Sequence, residues 1–215
     1  EPTMRCDKKD LLLYGVTDRS WLGDRTLAQQ VEASLRGGAT MIQLREKHMD
    51  RGSILAQALE LRELCGRYGV PLILNDDAEL AQAAGADGVH VGQSDMEAGR
   101  VRALLGEDKL IGVSARTVEQ ALAAQAAGAD YLGVGAAFVT GTKTDAKPSS
   151  RETIRAITAA VDIPAVAIGG ITRENLPQLS GCGLQGVAVV SALFAQADVK
   201  AAAEELLRLS EEIAR

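Results

Sequence analysis

Thr40-Met41-Ile42-Gln43-Leu44-Arg45-Glu46-Lys47 is a short apolar run that ends abruptly in polar and charged groups. Side chains alternate across a strand, so Met41, Gln43 and Arg45 share one face while Ile42 and Leu44 share the other. An ordinary core strand has no use for a glutamine and an arginine on one side. A parallel strand whose carboxyl end opens onto a ligand site does, and Lys47 follows two positions later. The stretch reads as a strand end that grips an anion.

Outward from it the pattern alternates strand and helix. Strands are expected over 11–16, 71–74, 88–91, 110–113, 131–134, 165–168 and 185–190, besides the opening run. Helices are expected over 24–36, 51–67, 78–84, 96–105, 118–127, 151–160, 174–180 and 199–213. Gly38-Ala39-Thr40, Gly85-Ala86-Asp87, Gly128-Ala129-Asp130 and Gly183-Leu184-Gln185 each end a helix and open an even-numbered strand. A glycine just past a helix adopts the left-handed conformation cheaply, so its recurrence marks four helix-to-strand joins. Pro71 and Pro164 each precede an apolar run, where a missing N–H is tolerated. Four two-fold βα units make eight, and right-handed crossovers close eight parallel strands into an α/β, (βα)₈ TIM barrel of one domain. An open doubly wound sheet is the alternative, although no Gly-rich dinucleotide fingerprint follows the first strand. The barrel is assigned to residues 11–215. Residues 1–10 show no periodicity and are set apart as an N-terminal extension, expected to be partly disordered.

The bulk properties agree. The 215 residues suffice for one large domain, and 47% hydrophobic with 24% charged content reads as soluble and globular. A net charge of −6 argues against nucleic acid as a partner, because binding a phosphate backbone needs a basic surface. No stretch approaches the roughly 18 apolar residues of a membrane span, so no membrane association is expected. Cys6, Cys65 and Cys182 are odd in number and lack metal-ligand spacing, which fits a reducing compartment and a cytoplasmic location. A homo-oligomer is compatible with all of this.

In such a barrel, function sits at the carboxyl ends of the strands. Those positions read Thr17-Asp18, Gln43-Arg45-Lys47, Asn75-Asp76-Asp77, His90 with Gln93-Ser94-Asp95, Ser114-Ala115-Arg116, the loop 135–147, Gly169-Gly170 and Val190-Ser191. Asp76 and Asp95 follow adjacent strands. Two carboxylates with water and phosphate oxygens make a Mg²⁺ site, although either could instead cap a helix. Arg45, Lys47 and Lys143 tip the balance toward a diphosphate ligand. Gly169-Gly170 and Val190-Ser191 match a second phosphate site, held by backbone N–H groups after strands seven and eight. The loop 135–147 is the longest break in the pattern, and its Thr140, Thr142 and Lys143 suit anion contacts and closure over a ligand. His48, His90, Asp87 and Asp130 read as structural, and Glu46 as a local partner.

This series of motifs resembles thiamine-phosphate synthase from Tyr14 to Leu207. The pieces are Tyr14-Gly15-Val16-Thr17-Asp18, Gln43-Leu44-Arg45-Glu46-Lys47, Asn75-Asp76, Gly88-Val89-His90-Val91-Gly92-Gln93-Ser94-Asp95, Gly112-Val113-Ser114, Gly128-Ala129-Asp130-Tyr131, Thr140-Gly141-Thr142-Lys143, Ala167-Ile168-Gly169-Gly170-Ile171 and Val189-Val190-Ser191-Ala192. Each is weak alone; their order and spacing are specific. The resemblance implies a Mg²⁺-dependent transferase that joins hydroxymethylpyrimidine diphosphate to a thiazole phosphate, releasing diphosphate through a pyrimidine carbocation. It implies that Gln43, Arg45, Lys47, Asn75, Ser114 and Lys143 hold the pyrimidine diphosphate, with Arg45, Lys47, Ser114 and Lys143 catalytic. Asp76 and Asp95 would ligate Mg²⁺, while Thr140, Thr142, Gly170, Val190 and Ser191 would hold the thiazole phosphate. Arg116 and Ala136-Ala137 depart from the family pattern, which has histidine and Gly-Pro there. Two rivals are a thiazole tautomerase of the same fold, which needs no metal site, and a non-catalytic barrel that binds a phosphorylated ligand.

Overall fold

The structure, a computed structural model, describes residues 6–93, 97–140 and 147–214. Strands β1 (Leu13–Val16), β2 (Met41–Leu44), β3 (Leu72–Asn75), β4 (Gly88–Val91), β5 (Leu110–Ala115), β6 (Tyr131–Val134), β7 (Ala165–Ala167) and β8 (Gly186–Val189) pair in parallel in chain order, and β8 closes onto β1. Helices α1 (Leu27–Arg36), α2 (Arg51–Arg67), α3 (Ala78–Ala84), α4 (Ala98–Leu105), α5 (Val118–Ala126), α6 (Arg151–Ala160), α7 (Ser191–Phe194) and α8 (Val199–Ile213) lie in the connections and after β8. The expected (βα)₈ barrel is therefore the architecture.

Strand parity divides the core in two. Leu13, Ile42, Leu44, Leu72 and Leu74 point outward to the helices, while Tyr14, Met41, Ile73, Tyr131 and Val166 fill the barrel interior. Below them, Asp7 caps a 3₁₀ helix at Lys8–Leu11, and Cys6 and Leu11 are buried with the interior cluster. The segment set apart as an extension thus supplies the barrel floor from Cys6 onward. Two sparse apolar residues leave no period to read. Gly186 has to be glycine here, since a Cβ would sit 1.8 Å from the Leu11 carbonyl oxygen.

The glycine-ended joins carry a repeated bond pattern at the amino-terminal rim. The N–H groups of Thr40, Asp87, Asp130 and Gln185 donate to the carbonyls of Leu13, Leu72, Ile111 and Ala165. The side-chain oxygen of each then accepts the N–H of that same residue, at 2.8–2.9 Å. An N–H near the start of each odd strand is thereby satisfied. Asp130 also receives Arg102 at 2.5 Å, and both side chains are nearly buried. The structural reading of Asp87 and Asp130 has this concrete form.

Boundaries differ where elements are short. The first helix begins at Leu27, not at position 24, because Thr26 and Gln29 form a reciprocal capping box. After β7 the expected helix shrinks to a 3₁₀ turn, Leu176–Leu179, with Pro177 near its start. Strand β5 runs on to Ala115 and so carries Ser114 within it. Helix α7 was not anticipated; four residues are too few to show a period.

Candidate active site

The β2 rim behaves as parity requires. Gln43 faces inward and is nearly buried. The Arg45 N–H donates to Thr17 Oγ1 at 3.1 Å, and the Thr17 N–H donates to the Gln43 carbonyl at 3.0 Å, which fixes where the strand ends. Glu46 is engaged by Arg19 at 2.5 Å, and Arg19 also reaches Gln57 at 2.6 Å. That ion pair is the local partner expected for Glu46. Arg45, Lys47, Asn75 and Asp76 all line one cleft of about 530 Å³ between the ends of β2 and β3, and His48 stands on its wall.

Two adjacent aspartates follow β3, and the backbone gives them different work. Asp77 caps α3, accepting the Leu80 N–H at 2.9 Å, and also pairs with Arg51 at 2.8 Å. Asp76 adopts φ +65°, the left-handed region that a non-glycine residue seldom occupies. Its N–H donates to the His90 carbonyl at 2.9 Å, which ties it to β4. Such conformations persist where surrounding structure imposes them and cluster at ligand sites. An exposed carboxylate beside the Asn75 carboxamide offers hard oxygen donors, the chemistry Mg²⁺ takes together with water and phosphate oxygens. Among the described residues no cluster of three metal-ligating side chains occurs.

Beneath the rim a line of polar groups crosses the barrel. Asn75 Nδ2 donates to Gln43 Oε1 at 2.9 Å, and Gln43 Nε2 donates to the Tyr14 hydroxyl at 2.8 Å. The Tyr14 and Tyr131 hydroxyls lie 2.7 Å apart. His90 Nδ1 lies 3.1 Å from the Tyr131 hydroxyl and its Nε2 lies 2.8 Å from Ser114 Oγ. Gly112 makes the meeting of the rings possible, since a Cβ there would come within 2.1 Å of Tyr131 and 2.5 Å of His90 Nδ1. Desolvation raises the pKa of both phenols, that of Tyr131 well above the ordinary range, so both stay protonated at neutral pH. The line joins three expected substrate contacts, Asn75, Gln43 and Ser114. Sequence reasoning missed both tyrosines. Their inward parity on β1 and β6, in a chain with 3% aromatics, was the available signal.

On the opposite side, the β6 and β7 loops are stitched by main-chain bonds. Ala137 N–H donates to the Ile168 carbonyl at 2.8 Å and Phe138 N–H to the Gly169 carbonyl at 3.1 Å. Gly170, at φ +65°, packs so closely that a Cβ would lie 2.6 Å from the Val139 carbonyl oxygen. Thr140 is thereby held next to the Gly170 turn, and Asn175 Nδ2 donates to the Gly170 carbonyl at 2.9 Å. Val190 and Ser191 open α7 at the end of β8, adjacent to β7, and Ser191 is exposed. Arg116 is exposed beyond β5. The expected contacts Thr142 and Lys143 and the expected metal ligand Asp95 lie outside the described residues.

The profile of the thiamine monophosphate synthase family matches residues 13–193. The chain belongs to that family. It is 50% identical over 202 residues to a thiamine-phosphate synthase of Ruminiclostridium cellulolyticum, covering 94% of this chain and 96% of that one. Against a thiamine-phosphate synthase of Clostridium tetani, identity is 47% over 197 residues, covering 92% and 94%. The solved thiamine phosphate pyrophosphorylase from Pyrococcus furiosus superposes with a TM-score of 0.88 at 36% identity, covering 97% of this chain and 99% of that one. Family membership agrees with the resemblance carried by the motifs, and members of this family are transferases. No helix among the described residues is long and apolar enough to cross a membrane.

Proposed function

We propose that this rim carries out thiamine-phosphate synthesis, the activity of the family, with hydroxymethylpyrimidine diphosphate and a thiazole phosphate as its small-molecule substrates. The observation that carries the assignment of roles is the single cleft in which Arg45, Lys47, Asn75 and Asp76 converge. The pyrimidine methylene carbon parts from the diphosphate oxygen, which keeps the bonding electrons. A pyrimidine carbocation results, and the thiazole nitrogen supplies the electron pair that forms the new C–N bond.

A leaving diphosphate asks for positive charge and hydrogen-bond donors placed in advance, not for a nucleophile. Arg45 offers a planar fork for two phosphate oxygens, and Lys47 a mobile point charge beside it. Lys143 would add a third cation from the loop after β6. Ser114 and Asn75 would bind the same substrate from β5 and β3, with Gln43 supporting Asn75 from below. Thr140, Thr142, Gly170, Val190 and Ser191 would hold the thiazole phosphate through hydroxyls and backbone N–H groups. Asp76 with Asp95 would hold Mg²⁺, which when bound supplies charge neutralisation for the departing group. The buried, unpaired state of Cys6, Cys65 and Cys182 supports action in a reducing compartment such as the cytoplasm.

The test incubates the protein with both substrates and Mg²⁺ and follows thiamine phosphate and diphosphate. Equimolar appearance of the two is expected. Isomerisation of the thiazole with no coupling would replace this reading with that of a tautomerase.

A further inference from the structure

With the Asn75 and Gln43 carboxamides oriented as they are, counting protons gives the polar line across the barrel one direction. A carboxamide donates through nitrogen and accepts through oxygen, a phenol has one proton to give, and a neutral imidazole donates at one nitrogen and accepts at the other. Asn75 donates to Gln43, and Gln43 donates to Tyr14. Tyr14 is buried, and its own proton has Tyr131 as a partner at 2.7 Å. When Tyr14 gives its proton to Tyr131, the Tyr131 proton is left for His90 Nδ1, 3.1 Å away. With Nδ1 accepting, the imidazole proton sits on Nε2 and points at Ser114 Oγ.

We infer that Tyr14, Tyr131 and His90 are positioning residues that hold His90 as its Nε2–H tautomer, so that His90 donates to Ser114 and the Ser114 proton is left for a phosphate oxygen of the substrate. This rests on the reading that Ser114 touches the diphosphate. The opposite direction requires both carboxamides to turn over. It would end with Ser114 donating into the barrel and presenting only lone pairs to an anion, which repels the ligand. This direction also leaves Asn75 Oδ1 as the terminal acceptor, next in sequence to the carboxylate of Asp76. Both ends then suit the proposed ligands at this rim: an acceptor toward a cation, a donor toward an anion.

The test reads the tautomer directly by ¹⁵N NMR of the whole enzyme labelled at histidine. His48 and His90 are the only two histidines, so His48→Asn assigns the spectrum. A protonated Nε2 and a bare Nδ1 on His90 at neutral pH are expected; a proton on Nδ1, or an averaged pair, overturns the inference. Tyr131→Phe removes the donor to Nδ1, and kcat is expected to fall about tenfold while KM for the diphosphate substrate stays within about twofold, the loss of one hydrogen bond. His90→Gln, whose amide can replace the Nε2–H, should retain more turnover than His90→Leu. Equal losses in those two variants would overturn the positioning role. Ser114→Ala at full turnover would instead overturn the reading of Ser114, and the tautomer of His90 would still report on the line itself.

Discussion

The two ends of the barrel are built on opposite plans. At the amino-terminal rim, Thr40, Asp87, Asp130 and Gln185 repeat one device four times, each bonding through both backbone and side chain to a single residue of the preceding odd strand. At the carboxyl-terminal rim no two strand ends are alike: Arg45 beyond β2, Asp76 at positive φ after β3, Ser114 within β5, Gly170 turned against the β6 loop. Repetition serves a need shared by every unit, which is to close the sheet without orphaned N–H groups. Variety serves a need that no two positions share, the recognition of an asymmetric pair of ligands. In barrels of this type conserving stability and performing chemistry fall on opposite faces, and this chain states that division in its side chains.

Breaking the repeated rim should cost stability and spare chemistry. The largest effect is expected at Asp130, where alanine strands Arg102 in a buried site and leaves the Ile111 N–H without its acceptor. Removing one partner of a buried ion pair costs about 3–5 kcal/mol, so Asp130→Ala should unfold at markedly lower urea concentration while kcat per folded molecule is kept. Loss of activity with unchanged stability would contradict the division.

The next effect belongs to the other rim. Arg45→Ala should raise KM for the pyrimidine diphosphate about tenfold to a hundredfold, some 1.4–2.7 kcal/mol, with KM for thiazole phosphate little altered. Equal losses for the two substrates in steady-state kinetics would remove Arg45 from the diphosphate side. A smaller effect is expected from Thr40→Val, which keeps the shape and deletes one acceptor at the start of β1. About 1 kcal/mol of stability should be lost, readable as a shift in denaturation midpoint without change in turnover.

The last effect, absent at neutral pH, is a slope with pH. Desolvation, aided by nearby Asp10 and Asp130, pushes the Cys6 thiol up to about 12; desolvation, then Asp87, does the same for Cys65. Their folded values lie above the ordinary 9.0 of the unfolded chain. The unfolded state therefore loses protons first, and stability is whole below pH 9 and declines as pH climbs toward 12. Tyr14 and Tyr131 add to the decline above the ordinary tyrosine value of 10.0. Melting temperatures from neutral to about pH 11 should be level and then fall; a rise through that range would contradict the burial of these groups.

Much of this plan was legible in the chain. The glycine-ended joins mark the eight units, and strand parity places Gln43 inward and Arg45 at the rim. The joins that carry Thr40, Asp87, Asp130 and Gln185 were visible as a repeat, though their double bonding was not, because that depends on which backbone N–H each side chain meets. The separation of Asp76 from Asp77 needed a φ angle. The line from Asn75 to Ser114 needed the register that sets Tyr131 and His90 beside Gly112, residues far apart in sequence. Helix α7 and the 3₁₀ turns were too short for periodicity to register.

One pair of residues tests the division most directly, because it flanks a single helix. Asp76 ends β3 at the upper rim and Asp87 opens the way into β4 at the lower, with α3 between them. Asparagine suits the left-handed backbone at 76, so Asp76→Asn removes charge without adding strain. Turnover with both substrates and Mg²⁺, measured beside the melting temperature for Asp76→Asn and Asp87→Ala, gives the answer. The account predicts that Asp76→Asn melts as the parent does and loses about a thousandfold or more in kcat, and that Asp87→Ala melts lower and turns over normally. The reverse pattern, with turnover kept in Asp76→Asn and abolished in folded Asp87→Ala, would contradict it.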